Sequence, residues 1–175
     1  IMSIEGNSAS NIKEGEAFGI EVCSDGELIA VIGSDVYMQD ENDEFVAITT
    51  GEENMLPAED TYKFIAASPS DSNYIYVAYL KNSNETGNIY YTSDGGETWA
   101  IAYTATAMYN IFGTRGMLDN AMKVYPNDPR KVLVGGVNLW VIKDEAGEGI
   151  FRLECISSGS GFQISQSGGT FFYNY

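Results

Sequence analysis

The sequence predicts an all-β chain built from repeated four-stranded antiparallel sheets. Three observations lead there: an aromatic- and glycine-rich composition with almost no helical periodicity, a grammar of segments that recurs three times, and an Asp- and Gly-rich strand–turn–strand motif near the middle of the chain. Of the 175 residues, 44% are hydrophobic, 13% are aromatic and 19 are Gly. Aromatic residues fit the pleated, half-buried surface of a strand, and Gly fits the tight turns between strands. No long stretch places apolar residues at i, i+3, i+4 and i+7, as an amphipathic helix would. The length is enough for one domain with its own core.

The repeated grammar is a turn containing Asp, a strand, a short break, and a second strand ending in Asp. It runs from Asp25 to Asp40, from Asp71 to Asp94 and from Asp128 to Asp144. The second and third copies share a turn of the same type, Pro69-Ser70-Asp71 and Pro126-Asn127-Asp128. Pro presets φ for such a turn, and Asp closes it with a side-chain hydrogen bond. A further strand is expected before each copy, over residues 18–23, 62–67 and 120–125. Another is expected after each, over residues 45–49, 99–104 and 150–156. The turn aspartates are spaced about 46 and 57 residues apart. Four short antiparallel strands in a repeat of roughly 40–50 residues is the signature of a β-propeller blade. A lone four-stranded sheet cannot cover both of its faces, and stacking sheets around an axis hides them.

The expected organisation is therefore a partial β-propeller over residues 1–175. Blade one covers about 17–50, blade two about 61–105 and blade three about 119–157. A further blade starts over 161–175, with strands at 162–164 and 170–173. A propeller has four to eight blades, so the remainder of the ring or another chain is expected to complete it. An open β-sandwich is the alternative that strand count alone leaves. The first residue is Ile and the last five read as a strand, so both ends are expected to be cut from a longer polypeptide.

The most specific motif is Ser93-Asp94-Gly95-Gly96-Glu97-Thr98-Trp99, between the strand at 89–92 and the strand that Trp99 leads. Asp94 is expected to accept hydrogen bonds from the backbone of the Gly-rich turn. Gly95 and Gly96 permit positive φ. Thr98 can bond locally, and Trp99 can bury a large ring beneath the hairpin. The other two repeats carry decayed copies: Asp40 is followed by Phe45 at the same spacing, and Asp144 by Phe151 two residues further on.

These residues resemble the Asp-box, or BNR, repeat proteins. That group includes sialidases, sortilin-like VPS10 propellers, two-propeller xyloglucanases, photosystem assembly factors and many secreted bacterial proteins. The stretch from Leu118 through Pro129 to Trp140 is most similar to sortilin-type propellers of secreted bacterial proteins, within a likeness over residues 62–156. The resemblance implies a propeller fold and an extracytoplasmic setting, secreted or at the cell surface. It also implies a structural role for the box, away from the ligand-binding face.

Composition excludes several chemistries. There is no His, so Ser-His-Asp and Cys-His arrangements and His-based metal sites are absent from the sequence. The two cysteines, Cys23 and Cys155, lie in strand-like segments and are expected to be buried free thiols. No EF-hand spacing occurs, and no metal or cofactor is expected. The net charge of −16 disfavours nucleic acid and anionic lipid surfaces. No run of 18 apolar residues offers a membrane span. A sialidase would need an arginine triad and an R-I-P motif. Only Arg115, Arg130 and Arg152 are present, and no such motif occurs. A glycoside hydrolase needs two carboxylates across a cleft, and among 25 Asp and Glu a bare count selects none.

The connection between blades two and three holds Tyr109, Phe112, Arg115 and Asp119 and is the candidate ligand-facing loop. Aromatic rings and a guanidinium there could stack on a sugar or grip a protein. Asn84-Glu85-Thr86 is a glycosylation sequon by pattern, expected within a hairpin loop at 81–88. Three functions remain open: a non-catalytic propeller module binding protein or glycan, part of a glycan-cleaving enzyme with catalytic residues partly elsewhere, and a structural component of a secretion, fibre or phage assembly.

Overall fold

The computed structural model describes residues 2–5, 8–11, 13–50, 52–59, 63–81, 85–105, 111, 120–136, 138–157, 164–167 and 170–173. Among them every regular element is a strand. Three four-stranded antiparallel meanders dominate. The first joins β3 (Ala17–Val22), β4 (Leu28–Ile32), β5 (Asp35–Gln39) and β6 (Phe45–Ala47). The second joins β7 (Lys63–Ala67), β8 (Ile75–Lys81), β9 (Glu85–Thr92) and β10 (Ala100–Tyr103). The third joins β11 (Ala121–Tyr125), β12 (Asp128–Gly135), β13 (Leu139–Asp144) and β14 (Phe151–Cys155). Two separate hairpins flank them: β1 (Met2–Glu5) with β2 (Ser8–Asn11), and β15 (Ile164–Ser167) with β16 (Thr170–Tyr173).

The alternation of side chains along the central strand β8 explains how the sheets stack. Ile75, Val77 and Tyr79 point to one face and join Cys23, Ile29, Val31, Val36 and Trp99 in one core. Tyr76, Ala78 and Leu80 point to the other face and join Met122, Val124, Val132, Val134, Trp140 and Ile142 in a second core. Successive strand residues face opposite ways, so a continuous apolar run buried on both faces is what a central layer requires. The middle sheet is thus covered by the first sheet on one side and by the third on the other. The leading strands sit side by side, β7 between β3 and β11, as the innermost strands of adjacent blades do. The chain is a fragment of a β-propeller, and the open sandwich alternative does not describe it.

Two seam contacts are specific. The Tyr76 hydroxyl of the second sheet donates to the Pro129 carbonyl of the third at 2.9 Å. The Tyr79 hydroxyl donates to the Pro57 carbonyl, in the connection from the first sheet, at 2.8 Å. Both cysteines are buried free thiols. They lie in different seams, Cys23 in the first and Cys155 in the second.

Three details differ from the sequence reading. Where a strand is expected at 162–164, the described strand β15 runs over Ile164–Ser167. The hairpin β1–β2 had no counterpart in it, because Ser8-Ala9-Ser10-Asn11 carries neither β-branched residues nor apolar alternation. The loop expected at 81–88 is shorter: β8 continues to Lys81 and β9 starts at Glu85, so Asn88 lies in a strand. A register break between Ala78 and Leu80 lets the ladder run on past the polar residues that suggested a loop.

Candidate functional site

A four-stranded meander puts its first and third turns at one end and its second turn at the other. At the first end all three sheets repeat the same device. In the turns between first and second strands, Asp25 accepts from the Glu27 N–H at 3.1 Å, Asp71 from the Asn73 N–H at 3.1 Å and Asp128 from the Arg130 N–H at 3.3 Å. Each side chain bonds the backbone two residues on, as Asp does in turns.

The turns between third and fourth strands also close on Asp, in three different ways. Asp40 Oδ1 accepts from the N–H groups of Asn42 at 2.8 Å and Glu44 at 2.9 Å. Those bonds to Glu44 and Asn42 hold its carboxyl below the ordinary range. Asp144, almost fully buried, accepts from the N–H groups of Gly147 at 2.9 Å, Glu148 at 3.2 Å and Gly149 at 2.8 Å. Asp94 accepts from the Thr98 N–H at 2.9 Å, the Thr98 hydroxyl at 2.5 Å and the Thr92 hydroxyl at 2.6 Å. Burial pushes the Asp94 carboxyl up, but the bonds from Thr92 and Thr98 outweigh it and leave the group below its usual value.

The expected bond from the Gly-rich backbone to Asp94 is replaced by a relay. The Gly96 N–H donates to Thr92 Oγ1 at 2.9 Å, and the Thr92 hydroxyl in turn donates to Asp94. Thr92 is a residue the sequence reading missed, and a hydroxyl two positions before the Asp was its only signal. Gly95 and Gly96 take φ of 74° and 98°. Ser93 is exposed. The Trp99 ring is buried in the first seam, and its indole N–H donates to the Gly96 carbonyl at 3.2 Å. Phe45 is buried against Ala30 and Ile32. Phe151 packs edge-on to Tyr91 at 4.6 Å.

The opposite end is chemically different. There a cavity of about 160 Å³ opens between Glu59, Tyr79, Gly87, Asn88, Tyr90 and Ala105. Tyr79 and Tyr90 meet edge to face with centroids 5.1 Å apart. Asn88 donates from its amide to the Tyr90 hydroxyl at 3.3 Å and accepts from the Ala105 N–H at 3.3 Å. Burial raises the Tyr79 phenol far above its ordinary value, so it stays neutral. Beside the cavity the buried Lys63 donates to the carbonyls of Ser34 and of Glu59, the latter at 2.6 Å, and lies 4.5 Å from the centre of the Tyr79 ring. This arrangement offers an aromatic wall, an amide and one carboxylate, which suits binding of a polar ligand. None of these residues shares a sequence motif, so no spacing pointed to them.

Tyr109, Phe112, Arg115 and Asp119 lie outside the described residues, as does Asn84 of the sequon. Ile111, from the same connection, is buried in the second seam. Arg130 and Arg152 sit on β12 and β14 of the third sheet. Among the described residues no group of three or more Cys, Asp or Glu is placed to hold a metal ion. No helix among them is long and apolar enough to cross a membrane.

Neither a protein-family model nor a curated protein matches the sequence. Solved structures do match. The chain is similar to the GH74 enzyme of Niastella koreensis, with a TM-score of 0.59 and 14% identity over 93% of this chain and 30% of that one. It is also similar to the GH74 xyloglucanase of Xanthomonas campestris, with a TM-score of 0.54 and 14% identity over 90% of this chain and 28% of that one. At that identity the likeness shows the fold. The chain spans less than a third of the length of either structure.

Proposed function

We propose that this chain is a non-catalytic recognition module of a larger secreted or surface protein, one end of its propeller blades serving as scaffold and the other binding a glycan. The observation that carries the reading is the segregation of chemistry between the two ends. Six aspartates at one end each accept backbone N–H or neighbouring hydroxyl groups and so are committed to closing turns. The tyrosine-, amide- and carboxylate-lined cavity lies at the other. The Asp94 turn is read as an Asp-box of the sortilin-like kind, with Asp40 and Asp144 as its degenerate copies. The remainder of the protein's own propeller, or another chain, is the partner for the outer sheet faces.

A glycan array probed with the protein tests this. Selective retention of a sugar class is the expected result. Retention of no glycan, with capture of a defined protein ligand instead, would refute it.

The GH74 likeness favours a second reading, in which the chain is part of a glycan-cleaving enzyme whose carboxylates lie partly elsewhere. Turnover of a β-glucan by the intact protein, abolished by a single carboxylate substitution, would establish that reading over the first.

A further inference from the structure

We propose that the cavity between Tyr79, Tyr90, Asn88 and Glu59 is a subsite for one uncharged sugar ring. The assignment rests on the glycan-recognition reading and narrows it to one site and one charge class.

Main chain fixes the shape of the site. The ladder between β8 and β9 breaks register between Ala78 and Leu80. Gly87 sits at that register break, close against β8, where a Cβ would lie 3.0 Å from the Tyr79 carbonyl oxygen and 3.1 Å from its Cβ. A side chain at 87 would push the strands apart, so Gly keeps them close and the cavity well defined. Its volume, about 160 Å³, suits a single ring better than an extended chain.

The lining matches both kinds of sugar surface. Tyr90, braced by Tyr79, offers an apolar ring to the C–H face of a pyranose. Asn88 spends one amide N–H on Tyr90 and one lone pair on the Ala105 N–H. An amide has two N–H groups and two lone pairs, so one of each remains for hydroxyls. The Glu59 carboxylate accepts from hydroxyl groups.

Charge sets the class. The chain carries a net charge of −16, and Glu59 stands in the lining. Among the described lining residues none is cationic, and Lys63 beside them is engaged with two carbonyls and the Tyr79 ring. An anionic sugar would meet repulsion from Glu59, with no cation offered to it by the described lining residues.

The test is an NMR titration of the protein with methyl glucoside and methyl galactoside as neutral probes and methyl glucuronide as the anionic one. A neutral glycoside is expected to bind with Kd on the order of 1 mM, as suits so small a ligand. The glucuronide is expected at least tenfold weaker. Tyr90→Ala and Asn88→Ala should each weaken neutral binding about fivefold or more, with folding checked by thermal melts. Glu59→Gln, which keeps one acceptor oxygen but removes the charge, should weaken neutral binding less than Asn88→Ala does while narrowing the gap to the glucuronide.

Neutral binding untouched by Tyr90→Ala and Asn88→Ala would overturn the subsite and leave glycan recognition standing elsewhere on that end. Glucuronide binding as tight as glucoside binding would overturn the charge class. If neither these glycosides nor longer oligosaccharides bind, the subsite and the recognition reading fall together.

Discussion

Replacing Asp144 by Ala removes the acceptor for three backbone N–H groups, those of Gly147, Glu148 and Gly149. A hydrogen bond to a charged group contributes about 1.5–3 kcal/mol when both partners are buried. Asp144 itself is buried, but residues 145–150 are exposed, so water can reach part of what is freed. About 1 kcal/mol for each bond is therefore the appropriate figure, giving a loss of about 2–4 kcal/mol. In a domain of this size that lowers Tm by about 5–15 °C. Asp144→Asn keeps one carbonyl oxygen and turns an amide toward one N–H, so it should lose roughly half as much. The assay is urea denaturation followed by fluorescence of the two tryptophans, Trp99 and Trp140. Trp140 lies in the strand that leads into this turn, so it reports directly. A variant whose stability stays within about 0.5 kcal/mol of the parent would refute the view that the aspartate holds the turn.

Trp99→Ala should cost about 3–5 kcal/mol by opening a cavity in the first seam, measured by the same unfolding curves. Asp94→Ala should cost roughly 1–3 kcal/mol, toward the lower end because Thr98 is exposed and water can replace the carboxylate. Acid should destabilise the fold. Asp40 and Asp94 have folded-state values below their unfolded ones. Their stabilisation is present above the unfolded value of about 4 and is lost as pH falls through the lower folded values, so thermal melts should hold steady above about pH 5 and decline below it. Burial pushes the Cys23 thiol up from 9.0 to about 11. The folded state then keeps a proton the unfolded chain releases, so stability should fall as pH rises from 9 to 11. Alkylation of Cys23 at pH 8 should be far slower in the folded chain than in urea, and equal rates would contradict its burial.

The fold was legible because its signals are local and repeated. Apolar runs between Asp-bearing turns located the outer strands of the three sheets to within one or two residues, while β9 begins four residues before the strand expected at 89–92. The clearest case is Ile75 to Leu80, where an unbroken apolar run turns out to be buried on both faces. Closure of a turn by an Asp side chain depends on neighbours two to five residues away, so the sequence pointed to Asp40, Asp94 and Asp144, while the partners of Asp94 differ from the Gly-rich backbone it suggested. The cavity was not legible. Glu59 precedes one strand, Tyr79 lies near the end of another, Asn88 and Tyr90 lie inside a third, and Ala105 follows a fourth. Only the meander and its register break bring them together, and no spacing in the chain encodes that meeting. Thr92 was missed for a different reason: its hydroxyl relay depends on a side-chain rotamer rather than on a pattern.

The middle sheet shares one face with each neighbour, and that arrangement shapes the order of folding events. Each meander closes through contacts between residues close in sequence, so any of the three can nucleate on its own, and loop-closure entropy stays small. Docking is another matter. If the first sheet separates, Tyr79 and Ile75 are uncovered; if the third separates, Tyr76 and Leu80 are. Either loss uncovers the sheet that the other neighbour needs for its own cover. Nearest-neighbour coupling of this kind joins three locally nucleated units into one cooperative transition, with β8 packed against both outer sheets and the Lys123–Glu21 ion pair linking those sheets directly.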